Sequence, residues 1–223
     1  MGKVIILPET TKNPISLIGS RAGYCWGADT TDNEKNYKRG LDCIKSNHGR
    51  TLEYVNVETI ITGYSARVIR EWYTHIGGSP TRLQESTRYV DCVNFDYVVP
   101  KSINSEKTKE CYNNTMDKIK EAVKELEGCG IPREDYAMLL PLGMATTIVD
   151  KRNARNVRDM TRQRLCSRAY WEYRELINDF LDKLSAYSDE WKALINLIAM
   201  PKCEELGYCP EKKSCGRKPK REY

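Results

Sequence analysis

The stretch LEYVNVETIIT, residues 52–62, decides the fold class of this chain. Its apolar and polar residues partly alternate and it is rich in Val, Ile, Thr and Tyr, which predicts a β-strand. Gly63 ends the strand, and apolar residues then recur at helical spacing from Tyr64 until the helix breakers GGSP at 77–80. A strand followed at once by a helix indicates a chain that mixes both kinds of structure.

The rest of the chain continues this mixture. Residues 89–99 (YVDCVNFDYVV) alternate like a second strand, and Pro100 closes it. An amphipathic pattern with glycine stop signals predicts a helix over residues 105–127, and a short helix follows over 132–140. A long helix is predicted over about residues 154–187.

Composition predicts one folded domain with a short tail. The chain has 223 residues, of which 40% are apolar and 30% charged, as in ordinary globular proteins. We expect a single domain over residues 1–200 and a basic, cysteine-containing surface tail over residues 201–223. The formal charge of +5 is modest and favours anionic small ligands over a dedicated nucleic-acid binder.

Cysteine usage predicts a cytoplasmic location. The nine cysteines are an odd number and are spread through predicted helices and strands, which favours reduced thiols. Cys203, Cys209 and Cys215 are separated by five-residue gaps, whereas zinc sites usually have closer ligands, so no metal is expected. The apolar run of residues 4–7 is too short for a signal peptide, and no stretch approaches the length of a membrane span.

Two polar segments are candidate ligand sites. The loop at residues 77–89 combines Arg82 and Arg88 with hydroxyl side chains, which suits a phosphate monoester but also suits a solvated loop. In residues 151–164 and just after them, arginines recur at helical spacing: Arg155, Arg158 and Arg162 share one face, and Arg164 and Arg168 share another. This pattern fits a small-ligand site or an exposed basic helix that binds nucleic acid.

Six short motifs, in order, resemble those of the flavin-dependent thymidylate synthases over roughly residues 45–185. The motifs are His48–Glu53 (HGRTLE), Ser65–Arg67, Ser86–Tyr89 (STRY), Asn153–Arg155 (NAR), Arg164 and Ala169–Glu172 (AYWE). The chain also departs from the family pattern, because Thr74-His75-Ile76 stands where Arg-His-Arg is usual, and Glu71 and Tyr170 replace glutamines. It therefore resembles a divergent branch of the family.

The resemblance implies a fold, an activity and an assembly. The implied fold is an α/β (α+β) fold of the thymidylate synthase-complementing type, with a central, mostly antiparallel sheet flanked by long helices. The implied reaction is reductive methylation of dUMP to dTMP with FAD, NADPH and methylenetetrahydrofolate, in a homotetramer whose sites lie between chains. No membrane or nucleic-acid partner is expected.

The resemblance also assigns site residues. Arg164 is the implied catalytic residue, because its fixed positive charge would stabilise the uracil anion formed when the base loses its N3 proton. The implied dUMP-binding residues are Glu71, Thr74, Gln84, Glu85, Ser86, Thr87, Arg88 and Arg164. The implied FAD-binding residues are His48, Arg50, His75, Arg82, Asn153, Arg155 and Asp159.

Three alternatives stay open at this point. The altered motif allows a related enzyme that transfers a hydroxymethyl group or uses dCMP, and it allows a flavin-binding relative that has lost methylation. A third alternative is a helical nucleic-acid-binding protein that uses the arginines of residues 152–168 and the basic tail.

Overall fold

The computed structural model describes residues 2–221, and its centre is a four-stranded antiparallel sheet. The strands are β1 (Lys3–Ile6), β2 (Asn56–Ser65), β3 (Thr81–Gln84) and β4 (Ala145–Asn153), in the order β1-β2-β4-β3. The long pair β2 and β4 runs from Asn56 opposite Asn153 to Ser65 opposite Ala145. The predicted α/β fold with a central antiparallel sheet is confirmed. Met1 of the predicted domain and residues 222–223 of the predicted tail lie outside the described residues.

Helices cover the sheet and account for most of the remaining structure. They are α1 (Pro14–Cys25), α2 (Asn33–Lys45), α3 (Ala66–Trp72), α4 (Glu106–Gly128), α5 (Arg133–Tyr136), α6 (Ala154–Arg164), α7 (Trp171–Tyr187), α8 (Asp189–Ile198) and α9 (Lys202–Leu206). Short 3-10 turns occupy Gly49–Tyr54 and Ala137–Leu139. The predicted helix over residues 105–127 is α4, and the predicted helix over 132–140 is α5 with the turn that follows it.

The core lies where α7 crosses the sheet. Leu176, Phe180 and Leu184 recur at helical spacing on α7 and are fully buried. The ring of Phe180 meets the buried Trp72 ring of α3 edge-on, with 5.6 Å between the ring centroids. This packing fixes the C-terminal end of α3, which carries the residues of the candidate site. Within residues 2–221, no helix is both long and apolar enough to cross a membrane.

The predicted strand over residues 89–99 is wrong. This segment consists of turns, and its only strand-like contact in the described chain is an isolated bridge between Tyr97 and Met144. The open edge of β4 is occupied instead by β3, which lies inside the stretch predicted to be a polar loop. Cys92 and Phe95 are buried but three residues apart, so the apparent alternation does not correspond to two faces of a strand.

The predicted long helix over residues 154–187 is also wrong, because α6 ends at Arg164 and α7 begins at Trp171. The chain turns between them, with the Ala169 N–H donating to the Cys166 carbonyl at 3.0 Å. The buried Glu172 carboxylate then accepts hydrogen bonds from the Ser65 backbone N–H at 2.7 Å and the Ser65 hydroxyl at 2.5 Å. These bonds fix the first turn of α7 against the start of α3, so α7 does not continue the axis of α6.

Candidate functional site

The candidate site lies where the C-terminal end of α3 meets α6. Asn153 caps α6, because its side-chain oxygen accepts a hydrogen bond from the Asn156 backbone N–H at 2.9 Å. The Asn156 side-chain amide then donates to the carbonyls of His75 at 3.1 Å and Gly77 at 2.6 Å. One asparagine on α6 therefore holds the loop that follows α3.

Four residues that the sequence assigns to binding or catalysis come together here. The Arg164 Nε–H donates to His75 Nε2 at 3.0 Å, and a terminal N–H donates to the Glu71 carboxylate at 3.1 Å. A longer contact of 3.5 Å joins Arg164 to the Thr74 hydroxyl. The guanidinium also stacks on the ring of Tyr173, 4.6 Å from its centroid. These four residues are called the Arg164 cluster below: Glu71, Thr74, His75 and Arg164.

The Arg164 guanidinium retains donors for a ligand. Of its five N–H groups, the contacts to His75, Glu71 and Thr74 use three, and each terminal nitrogen keeps one N–H with no partner in the described chain. The side chain is 21% exposed, so these two donors can be reached from solvent. Two neighbouring N–H donors of fixed geometry match a pair of acceptors such as a carbonyl oxygen beside an anionic ring nitrogen.

His75 is held in its neutral form. Burial first, and then the positive charges of Arg164 and Arg152, lower the pKa of His75 from 6.5 to about 4. The geometry agrees, because Nε2 accepts a hydrogen bond from an arginine and must therefore be unprotonated, which leaves the proton on Nδ1. Nδ1 has no partner among residues 2–221 and remains a donor for a ligand.

This depressed pKa predicts how stability changes with pH. The unfolded chain protonates histidine near pH 6.5 and the folded chain only near pH 4, so His75 lowers the free energy of unfolding as pH falls through that window. The full effect is about 3 kcal/mol. We expect His75→Gln to flatten the pH dependence of unfolding between pH 7 and pH 4.5, measured by urea denaturation.

His48 provides the matched control for this experiment, because it is the other histidine of the chain and is exposed. The variant His48→Gln makes the same substitution at an exposed site, and its slope is the reference against which the flattening in His75→Gln is measured. Equal slopes for the two variants would contradict the buried, neutral state of His75.

A buried ion pair lies beneath the Arg164 cluster, and the sequence did not indicate it as a site feature. Asp150 and Arg152 both have fully buried side chains and share two hydrogen bonds of 2.6 and 2.7 Å. Arg152 also donates to the Asn156 side-chain oxygen at 2.7 Å and stacks on the Trp72 ring, 4.2 Å from its centroid. It thereby links the sheet to the asparagine that holds the loop after α3.

The sequence also did not indicate Tyr173 as a residue of the site. Its hydroxyl is buried with no hydrogen-bond partner among the described residues, and its ring lies beside His75 with 5.9 Å between the centroids. Burial raises the pKa of Tyr173, which keeps the hydroxyl protonated. The available signal was its position directly after the AYWE motif.

Two predicted FAD residues lie beside this cluster. Arg82 donates to the Tyr73 carbonyl at 2.8 Å and stacks on the Tyr73 ring, 4.4 Å from its centroid. The Asn153 amide reaches the Gly78 carbonyl at 3.4 Å. Gly78 has a φ of 75°, and a Cβ there would lie 2.4 Å from the Asn153 amide nitrogen, so only glycine allows this close approach.

The other predicted FAD residues lie on or near the neighbouring face of α6. Arg155 forms an ion pair with Glu53, and Asp159 follows it one turn later on α6. His48 lines a cavity of about 230 Å³ together with Arg158. Arg50 is exposed in the adjacent 3-10 turn.

Residues 84–88, the second half of the predicted phosphate loop, make their contacts with parts of the chain other than the Arg164 cluster. Gln84 ends β3 opposite Ile148, and Glu85 continues the pairing through hydrogen bonds to Thr147. Ser86 accepts a hydrogen bond from the Arg88 backbone N–H at 3.3 Å, and Thr87 lines a cavity of about 280 Å³. Arg88 itself forms an ion pair of 2.9 Å with Glu134 of α5. No hydrogen bond or ion pair joins residues 84–88 to Arg164 in the part of the chain that the structure describes.

The arginines of α6 do not form a basic surface of unpaired charges. Arg155, Arg162 and Arg164 each pair with a carboxylate from another part of the chain. Arg168 lies in the turn after α6, so the prediction that it shares a helical face with Arg164 is wrong. The pairing argues against the nucleic-acid alternative, which needs unpaired charges along one face.

Beside this helix is a cationic cavity of about 900 Å³. Its lining comes from α6, the turn after it and residues 201–217, and includes Arg155, Arg158, Asp159, Arg162, Arg164, Arg168, Lys202, Glu211, Lys213 and Arg217. All nine cysteines of the chain fall in the described part and are free thiols. Within residues 2–221, no three His, Cys, Asp or Glu side chains are grouped as metal ligands.

The structure has an α/β fold with a cavity that carries many cationic side chains, and comparison with known proteins gives the family. The family model described as thymidylate synthase complementing protein matches residues 7–187, so the chain belongs to that family. The resemblance seen in the motifs is thereby confirmed.

Relatives of the chain carry a consistent name. It is 31% identical to the flavin-dependent thymidylate synthase of Pyrococcus abyssi, over 93% of this chain and 89% of the relative. It is 33% identical to that of Pyrococcus horikoshii, over 74% and 69%, and 28% identical to that of Nitratidesulfovibrio vulgaris, over 95% and 94%. The alternatives left open by the sequence are not favoured by these relatives.

Proposed function

We propose that this chain is a flavin-dependent thymidylate synthase, which methylates dUMP to dTMP with FAD, NADPH and methylenetetrahydrofolate. Membership of the family carries the proposal, because the matched region includes both the Arg164 cluster and residues 84–88. The names of the relatives support the same activity.

The residues present fit a flavin dinucleotide. The cavity beside α6 has a volume in the range of ligand sites, and eight of its lining side chains are cationic, which suits a diphosphate. Arg155 and Asp159 line this cavity and would hold the cofactor from α6. The other proposed FAD residues, His48, Arg50, His75, Arg82 and Asn153, lie outside its lining and would contact parts of the cofactor that extend beyond it. Bound FAD supplies hydride transfer, and the protein supplies position and charge.

Arg82 compensates for the altered motif. The usual Arg-His-Arg is Thr74-His75-Ile76 here, so two cations of the family pattern are missing. Arg82 stacks on Tyr73, directly before the altered residues, and brings a guanidinium to the same place. In this proposal Arg82 supplies the positive charge there, and the neutral His75 donates a hydrogen bond from Nδ1.

Arg164 acts on the base. Its two free N–H groups would face the uracil edge and stabilise the anion formed when N3 loses its proton, which raises the electron density at C5. No cysteine nucleophile is needed for this activation. Glu71 and Thr74 orient the arginine through the contacts already described and would border the nucleotide.

The lack of hydrogen bonds and ion pairs between residues 84–88 and the Arg164 cluster, among residues 2–221, supports a site that two protomers share. Gln84, Glu85, Ser86, Thr87 and Arg88 are proposed to bind the dUMP phosphate and sugar, but in the described chain no hydrogen bond or ion pair joins them to Arg164. A homotetramer in which residues 84–88 of one protomer face the Arg164 cluster of its partner would complete the site.

The proposal extends to organisation and location. Residues 1–200 would form the catalytic domain and residues 201–223 the tail, and the enzyme would act in the cytoplasm. The free state of the nine thiols supports a reducing compartment.

The decisive experiment combines an absorbance spectrum with tritium release from dUMP labelled at C5. Methylation replaces the hydrogen at C5, so turnover with methylenetetrahydrofolate and NADPH transfers the label to water. We expect a flavin spectrum and release of tritium. A protein that binds no flavin would contradict the proposal, and flavin binding without release would indicate a changed substrate or a lost activity.

A further inference from the structure

The C-terminal segment, defined as residues 201–221, forms one wall of the cationic cavity although the family model ends at residue 187. Ion pairs fix the segment to the α6 side: Arg162 pairs with Glu205 at 2.6 Å, and Arg168 pairs with Glu211 at 2.8 Å. Cys203 and Cys209 are buried, each with 8% exposure. The segment is therefore a built part of the cavity.

The cavity concentrates positive charge. Eight lining side chains are cationic and two are carboxylates, a net of six positive charges, whereas the whole chain carries a formal charge of +5. The lining arginines of α6 and the following turn are compensated by ion pairs. Lys202, Lys213 and Arg217 form no ion pair within residues 2–221. The uncompensated charge of the cavity thus comes from the C-terminal segment.

Arg217 is positioned by the cavity wall. One terminal N–H donates to the Leu165 carbonyl at 3.3 Å, at the end of α6. The remaining N–H groups of its planar fork have no partner among the described residues. Lys213 is exposed and adds a point charge to the same lining. A fork and an ammonium group on one wall suit a diphosphate, which presents several anionic oxygens close together.

We propose that the C-terminal segment completes a dinucleotide site and that Lys213 and Arg217 bind the diphosphate of the dinucleotide. This inference rests on the proposed function, which requires two diphosphate-bearing molecules, FAD and NADPH. The segment would thereby extend the ligand site beyond the part of the chain that the family model covers.

The test compares Lys213→Glu with Lys212→Glu in the full-length protein. Both variants change the net charge equally, but Lys212 is exposed and does not line the cavity. We expect Lys213→Glu to weaken dinucleotide binding about 10- to 100-fold relative to Lys212→Glu, because a charge-assisted contact becomes a repulsion. Dissociation constants are measured by calorimetry for FAD, NADP⁺ and riboflavin, which lacks phosphate.

The outcomes distinguish FAD from NADP⁺ as the ligand, and they distinguish failure of this inference from failure of the proposed function. A loss for FAD alone assigns the site to the flavin, and a loss for NADP⁺ alone assigns it to the reductant; riboflavin binding should be equal in both variants. If the unmodified protein binds FAD and both variants bind each dinucleotide equally well, this inference is overturned while the proposed function stands. If the unmodified protein binds neither dinucleotide, both are overturned.

Discussion

Replacing Arg164 by alanine is expected to lower the rate of tritium release from C5-labelled dUMP by about 10²- to 10³-fold, the usual effect of removing one preorganised donor to a developing anion. The guanidinium is fixed by His75 and Glu71 before any ligand arrives, so it needs no reorganisation during the reaction. Flavin absorbance should persist although Arg164 lines the cationic cavity, because all seven predicted FAD residues are retained.

Two further variants make the result specific. Arg164→Lys keeps the charge but loses the planar fork, so we expect an activity between those of the alanine variant and the unmodified protein. Arg21→Ala removes an exposed arginine from α1 and should leave turnover unchanged. Turnover by Arg164→Ala within about fivefold of the Arg21→Ala control would rule out the assigned role, given the usual size of such losses.

A second measurement, the pKa of His75, reports directly on the contact between His75 and Arg164. Burial is the main cause of the low pKa of His75 and the Arg164 charge lowers it further, so the pKa should rise above about 4 in Arg164→Ala. The chain has two histidines, which makes the titration simple to follow by NMR. An unchanged His75 titration would contradict the hydrogen bond between the two side chains.

The sequence predicted the elements that have strong local signals and missed those that depend on distant partners. The strand predicted over residues 52–62 is present as β2, but it begins at Asn56 after a 3-10 turn and continues through Gly63 to Ser65, so the prediction that Gly63 ends it is wrong. The amphipathic helix α4 has clear periodicity and is present. The strand β4 was missed although Thr146, Thr147, Ile148 and Val149 form a β-branched run, because the arginines that follow were analysed only as helix faces.

Prediction of the candidate site also failed where it depends on contacts between distant parts of the chain. The motifs placed Glu71, Thr74, His75 and Arg164 in one functional group, and the structure brings their side chains together. Periodicity carries no information on which buried charges pair across the fold, so the role of the Asp150–Arg152 pair could not be predicted. Nor could one chain reveal how residues 84–88 reach the cluster, because that geometry requires a second protomer in our proposal.

Replacing Arg152 by alanine is expected to lower the free energy of unfolding by about 3–5 kcal/mol, because it leaves a buried carboxylate without its partner. Asp150 is 1% exposed and accepts two hydrogen bonds from Arg152, so no solvent can replace the lost donors. The cavity left beside the Trp72 ring adds to the loss. Urea denaturation at pH 7 measures the change.

The neighbouring residue provides the control. Lys151 forms an ion pair of 2.7 Å with Glu58, but its side chain is 51% exposed, so Lys151→Ala should cost less than about 1 kcal/mol. The double variant Asp150→Leu/Arg152→Met removes both charges together and should recover much of the stability lost by Arg152→Ala. Equal losses for Lys151→Ala and Arg152→Ala would show that the buried pair does not stabilise the fold.

The buried Asp150–Arg152 pair connects stability to function. Arg152 holds the Asn156 side chain, and Asn156 holds the carbonyls of His75 and Gly77. The double variant loses this chain of hydrogen bonds even where its stability recovers. We therefore expect the double variant to fold but to bind flavin more weakly than Lys151→Ala does. A fluorescence titration with FAD measures this difference. If the Asp150–Arg152 pair only stabilised the fold, the two variants would bind flavin equally well.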